Sequence, residues 1–253
     1  MSALDDAAGG PVKPFLDHLE DLRKALLASL AAVLLGMVAA ARFAPDIITL
    51  LKRPLRGVVD DPDTFLRTLE VTAGLSLALR TTFWAGLVLS APLILAAMGW
   101  FVFPGLKRRE RRAVLTGLLG AAVLFVAGVL LGYFLALPAA LRVMLWFNTW
   151  LGIRVDFFRV TDYIAFVLKL LLGFGLTFEL PVVILVLGHL GLVSTRLLRR
   201  WRRHAIVLVL ILAAAITPTT DPFTQLLLAV PLITLYEVCI WVLRARERRT
   251  SCS

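Results

Sequence analysis

The chain has 253 residues, 60% of them hydrophobic, and a mean hydropathy of +0.88. That balance excludes a water-soluble domain: runs of about 20 apolar residues recur, the length a helix needs to cross a bilayer. The net charge of +10 raises nucleic acid as a partner, but the basic residues fall in the short loops between apolar runs. That is the positive-inside bias of a membrane protein, so the sequence predicts no nucleic-acid partner.

Residues 1–13 read as a loose tail; Asp5 and Asp6 stand where a secretory signal would carry basic residues, so no cleavable signal is expected. Residues 14–25 set Phe15, Leu19 and Leu22, with Leu26 just beyond, at helical spacing, and Asp17, Glu20, Asp21, Arg23 and Lys24 on the other faces. This predicts an interfacial helix lying on the membrane before a first span at about residues 25–43. Residues 42–70 form the longest extramembrane segment, with Pro45 and Pro54 breaking it into short amphipathic caps. A second span covers residues 71–103, kinked near Pro92 and carrying Arg80 near its outer end, and the loop from Pro104 to Arg112 follows. The third span is placed at 113–137, and 138–162 is expected to be a loop anchored by Trp146 and Trp150. The fourth runs from 163 to 190. After the basic stretch Ser194 to His204 comes a fifth at 205–217, whose 12 apolar residues make about 18 Å of helix against a core of about 30 Å. A tight turn from Thr217 to Pro222 leads into a sixth at 223–243, which contains Gln225, Pro231 and Glu237 and also looks short. Two adjacent short helices predict local thinning of the bilayer. The predicted fold class is an all-α polytopic membrane protein of six transmembrane helices in one integral domain.

Orientation follows from the loops. The N-terminal helix, the two basic loops and the tail hold 17 Lys and Arg, and the opposite loops hold 8. The excess puts both termini in the cytoplasm.

The fourth span carries Glu179 near its centre, where a charged carboxylate costs about 3 kcal/mol on insertion scales. Lys169 is ten residues back, about 15 Å along the axis and off the same face, and is expected to snorkel to the interface. Pro181 removes the hydrogen bond to the Thr177 carbonyl and bends the helix beside the carboxyl, while Gly173 and Gly175 allow another backbone to approach. Two readings stay open: a protonated Glu179 joining helices of this chain, or a polar site for an external partner or a proton. Cys239 and Cys252 have no metal or redox spacing, and His18, His189 and His204 find no nucleophile to serve. No cofactor and no enzymatic activity are predicted. One function that Glu179 suggests on its own is a proton-coupled transporter of a small solute.

Five segments then occur in one order: His18-Leu-Glu-Asp-Leu-Arg23, Phe103-Pro-Gly-Leu-Lys-Arg-Arg-Glu110, Phe174-Gly-Leu-Thr-Phe-Glu179-Leu-Pro181, Ile216-Thr217-Pro-Thr-Thr-Asp221-Pro-Phe-Thr-Gln225, and Pro231-Leu-Ile-Thr-Leu-Tyr236-Glu237. Together they resemble the TatC family, the multi-span receptor subunit of the twin-arginine protein translocase. The resemblance implies a bowl-like bundle in the cytoplasmic membrane, with short fifth and sixth helices. It implies binding of Arg-Arg signal peptides at the cytoplasmic face, assembly with TatA- and TatB-type single-span partners and with further copies of itself, and export of folded proteins driven by the proton-motive force. By resemblance Asp21, Glu110 and Arg23 form the signal-peptide site. The family pattern is His-Leu-x-Glu-Leu-Arg, so here Asp21 takes the acidic position with Glu20 one place earlier, and which of the two reaches the ligand stays open. Carboxylates suit the task, because a guanidinium makes bidentate charge-assisted hydrogen bonds that lysine cannot match. Read on chemistry alone, Glu110 is a solvated acid among Lys107, Arg108, Arg109, Arg111 and Arg112, and only its family position assigns it. Thr217, Asp221 and Gln225, with Glu179 and Pro181, are implied as a partner-contact set, Asp221 and Gln225 alternatively capping the sixth helix.

Overall fold

The computed structural model describes residues 15–59, 61–102, 108–189, 193–216 and 222–251. The first helix, α1 (Phe15–Arg42), is continuous. Residues 15–25 run on into the following apolar stretch without a break, because no Pro or Gly falls between Phe15 and Leu35. α1 packs along α4 (Ala73–Val102), which passes through Pro92 without ending. The two cross where Gly36 meets Gly86: a Cβ on Gly36 would lie 2.5 Å from the Gly86 carbonyl oxygen. This small-on-small contact replaces side-chain interdigitation with direct backbone packing. The opposite face of α1, including Leu27, Leu30, Leu34 and Val38, is exposed, the arrangement a lipid-facing helix requires.

Between α1 and α4 the chain builds a cap from α2 (Ala44–Lys52), a 3-10 turn (Arg53–Gly57) and α3 (Pro62–Phe65). Its last residues form β1 (Leu66–Arg67), paired in parallel with β2 (Phe158–Arg159), Leu66 opposite Phe158. Two tyrosines fasten the cap to the bundle. Tyr133 donates its hydroxyl to the Leu50 carbonyl and Tyr163 to that of Leu51, both at 2.8 Å. Asp61 caps α3, accepting the Asp63 N–H at 3.1 Å; hydrogen bonding by Thr64 first, and then by that N–H, holds its carboxyl below the ordinary Asp value.

The third helical run is longer than its sequence suggested. α5 (Arg108–Leu131) widens into a π-helical turn at Gly132–Ala136 and continues as α6 (Leu137–Trp150). Residues 138–150 are thus helix, not loop. Pro138 has no N–H to give, and the π turn just before it is the adjustment by which a helix re-satisfies the backbone groups a proline frees.

α7 (Val160–Thr177) is the hub. Over half of its apolar window is buried, against a third or less in each of the other candidate spans. Ile164, Val167 and Phe174 have no exposed surface, and α4 and α5 both pack on it. Gly128 of α5 allows the closest approach: a Cβ there would come 2.7 Å from the Phe174 carbonyl oxygen. α7 stops at Thr177 and α8 (Leu180–His189) resumes after a two-residue break. α9 (Thr195–Arg200), α10 (Arg202–Ile216) and α11 (Pro222–Ser251) complete the chain.

Among the described residues five helical runs are long and apolar enough to cross a membrane. α10 is not one of them, its 15 residues making about 22 Å. The expected partner in shortness is different: α11 has 30 residues and runs through Pro231 into the charged tail, since Arg244, Arg246 and Glu247 are helix formers and nothing after Pro231 interrupts them. The architecture is a predominantly helical, multi-pass membrane protein with one two-residue strand pair in its cap.

Candidate functional site

Two places gather the acidic residues singled out in the sequence. The first lies where the start of α1 meets the end of α4. There Asp21, Lys24, Ala25 and Ala28 face Ala97 and Phe101 across a cleft of about 350 Å³. The alanines keep the helices close, and Asp21, half-buried, is the acid that lines the gap. Glu20 points elsewhere: it is exposed and holds Lys24 at 2.8 Å, one turn along the helix. Arg23 is exposed on α1. Glu110 stands in the first turn of α5, which begins six residues after α4 ends. Its side chain lies outside the described residues, as do Thr217 and Asp221.

The second place is the break between α7 and α8. The Glu179 N–H reaches the Leu176 carbonyl at 3.1 Å, and the Val183 N–H reaches that of Glu179 at 3.1 Å. Pro181 follows in the first turn of α8 with no N–H for the Thr177 carbonyl, as its position predicted. The Thr177 hydroxyl turns back to the Gly173 carbonyl at 2.5 Å and steadies the end of α7. Glu179 is 9% exposed, and its Oε1 has no hydrogen-bond partner among the described residues. Lys169 gives it none: that ammonium lies 5.9 Å from the centre of the Trp84 ring. The glycines near Glu179 act differently from one another. Gly175 receives the Phe125 ring, while the backbone approach comes from Gly128 on α5. α11 reaches the break through Cys239, whose thiol lies 3.5 Å from the Pro181 carbonyl. Gln225 is taken up within the chain, donating to the Leu210 carbonyl at 2.9 Å and so tying α11 to α10.

A third arrangement escaped the sequence reading. α9 is seated on α11 by the Tyr236 hydroxyl donating to the Leu198 carbonyl at 2.8 Å and by Glu247, which accepts the Thr195 N–H at 3.1 Å and the Thr195 hydroxyl. Arg202 adds an ion pair to Glu237 at 2.6 Å, and Leu198, Ile240 and Leu243 pack beneath. Ser194 caps α9, accepting the Leu197 N–H at 3.3 Å. The pairs are separated by 35 to 52 residues, and only Tyr236 and Glu237 had been noticed.

The apolar helical runs define an integral, multi-pass membrane protein with carboxyl groups at one helix end and at the break between α7 and α8. The comparisons make this specific. The family described as Sec-independent protein translocase protein (TatC) matches residues 17–231. The TatC protein of Deinococcus radiodurans is 39% identical over 227 residues, covering 89% of this chain and 83% of its own length. That of Aquifex aeolicus is 35% identical, covering 93% and 97%, and the chloroplastic protein of Arabidopsis thaliana is 35% identical over 92% and 66%. Two crystal structures of the twin arginine translocase receptor TatC, one in DDM, superpose with TM-scores of 0.76 and 0.78 at 35% and 36% identity; they cover 90% and 89% of this chain, and the match spans 98% of each. The chain belongs to the TatC family and is a membrane-embedded component of a Sec-independent protein translocase.

Proposed function

We propose that the protein is the receptor of a twin-arginine translocase, binding Arg-Arg signal peptides in the cleft beside Asp21. The observation that carries this reading is the cleft itself: an acid on α1 facing Phe101 near the end of α4, in a chain similar to proteins described as twin arginine translocase receptors. Asp21 and Glu110 each take one guanidinium, whose fork-like donors match a carboxylate. Arg23 orients the same end of α1, and Glu20, held by Lys24, is the lesser contributor. The 17-to-8 division of Lys and Arg puts this end, and both termini, in the cytoplasm. α10 is the fifth of six spans and the shortest, and the bundle is concave where it thins the bilayer.

Glu179 belongs to the second half of the function. A buried polar group without a hydrogen bond costs about 1–3 kcal/mol, and a donor from a TatA- or TatB-type single-span helix relieves that cost. By resemblance Thr217, Asp221 and Gln225 belong to the same partner-contact set, and several copies of the chain assemble for export driven by the proton-motive force. The alternative, a proton-coupled solute transporter, is not favoured by membership in a protein-translocase family.

Photo-crosslinking tests this reading: a probe beside Asp21 should capture an Arg-Arg signal peptide and not its Lys-Lys counterpart. Equal capture of both overturns it.

A further inference from the structure

The seat of α9 on α11 leaves a second cleft, and it is basic. Arg199 of α9 faces Trp241, Arg244 and Ala245 of α11 across about 260 Å³. Its walls are fixed by the Tyr236, Glu247 and Arg202 contacts, so the two helices bring Arg199 and Arg244, both exposed, to the same cleft before any ligand arrives. Basic charge predominates around them. Residues 193–216 contain five arginines and no carboxylate. On the facing part of α11, Glu237 is engaged by Arg202 and both oxygens of Glu247 accept from Thr195. Glu247 lowers the potential at Arg199, yet neither Arg199 nor Arg244 forms a salt bridge among the described residues. Below the cleft, α11 presents Trp241, 74% exposed, then Val242 and Val238, also exposed. Trp241 and Val238 are three residues apart, so an apolar stripe descends from the arginines along one face of a candidate membrane span.

We propose that this cleft binds the headgroup of an anionic phospholipid, with an acyl chain lying along the Trp241–Val238 stripe. Two guanidiniums form bidentate hydrogen bonds to a phosphodiester, an exposed tryptophan is at home at the headgroup level, and basic pockets between membrane helices suit anionic lipids. A soluble anion would use the arginines but not the stripe.

The test is tryptophan quenching by brominated lipids in vesicles containing the full chain, with the Trp241 signal isolated as wild type minus Trp241→Phe. Brominated phosphatidylglycerol should quench Trp241 at a far lower mole fraction than brominated phosphatidylcholine. Replacing both arginines, Arg199→Gln with Arg244→Gln, should erase that preference, a drop of roughly tenfold or more. Each single change should lose part of it, which keeps the test informative if the double variant folds poorly. A charge-matched control, Arg67→Gln with Arg154→Gln at the opposite end, should keep the preference. Equal quenching by the two lipids in the wild type overturns the proposal, as does a preference that survives loss of both arginines. Loss of the preference on adding excess inorganic phosphate would reassign the cleft to a soluble anion and also overturn it.

Discussion

Replacing Glu179 by Leu should stabilise the isolated chain while abolishing export. The carboxyl is 9% exposed, and its Oε1 has no hydrogen-bond partner among the described residues. Leu fills nearly the same volume and removes the unpaired group, so about 1–3 kcal/mol of desolvation cost disappears. For a chain of this size that corresponds to a rise of about 2–12 °C in melting temperature. Glu179→Gln keeps a polar group of the same shape and should melt close to wild type, and Glu179→Ala should melt lower because it leaves a void. Export of a folded reporter with an Arg-Arg signal, at matched protein levels, separates the roles. If Glu179 offers a hydrogen bond to a partner helix, Gln retains substantial export and Leu and Ala retain little. If it carries a proton, all three are inactive. The melting measurement uses purified protein without partners. A Leu variant that melts several degrees below wild type would refute the reasoning, since the carboxyl would then be holding helices of its own chain together.

Gly36→Val should destabilise the purified protein by about 1–3 kcal/mol or more, because its Cβ would sit 2.5 Å from the Gly86 carbonyl oxygen; an unchanged melting temperature would contradict the crossing. Lengthening α10 by six Leu and Ala residues adds about 9 Å and should leave insertion intact while impairing export; full export would make its shortness incidental. A double-mutant cycle on Arg202→Gln and Glu237→Gln, measured by melting, should give a coupling below about 1 kcal/mol because the pair is partly exposed; a larger value would make the ion pair the main seat of α9. The Asp61 carboxyl is held below its ordinary value of 3.8, so its contribution to the cap is complete above that pH and lost as pH falls through the lowered value. Protection factors for the amides of residues 61–67, corrected for the intrinsic pH dependence of exchange, should therefore fall only below about pH 4, and a flat profile would contradict the capping.

Much of the bundle was legible because membrane spans depend on local composition. The long apolar runs of α1, α4 and α7, the interruption at Pro181 and the shortness of α10 all follow from residues within one segment. The errors share a cause as well. Charged turns at the end of α11 look like tail in a hydropathy reading, yet they are good helix formers with nothing to stop them. Residues 138–150 read as loop because the π turn that accommodates Pro138 depends on local helical geometry that composition does not report. The sites were half legible. Glu179 announced itself as a lone carboxyl in an apolar run. The partners that shape the Asp21 cleft, Ala97 and Phe101, carry no signal in isolation, and the seat of α9 joins residues 52 apart through a threonine and a glutamate that are unremarkable in sequence. Gln225 donates to the Leu210 carbonyl, a tie between α11 and α10 that its own segment does not signal.

The central claim is that the Asp21 cleft receives the paired arginines. The most direct measurement is the affinity of an Arg-Arg signal peptide for the membrane-embedded protein and for its Asp21→Ala, Asp21→Glu, Glu20→Ala and Glu110→Ala variants. Loss of a charge-assisted hydrogen bond costs about 1.5–3 kcal/mol, a roughly 10- to 150-fold drop in affinity. Asp21→Ala and Glu110→Ala should each show that drop, Asp21→Glu should bind as well as wild type or better, and Glu20→Ala should change little because Lys24 already holds that side chain. Wild-type affinity in both Asp21→Ala and Glu110→Ala would contradict the account.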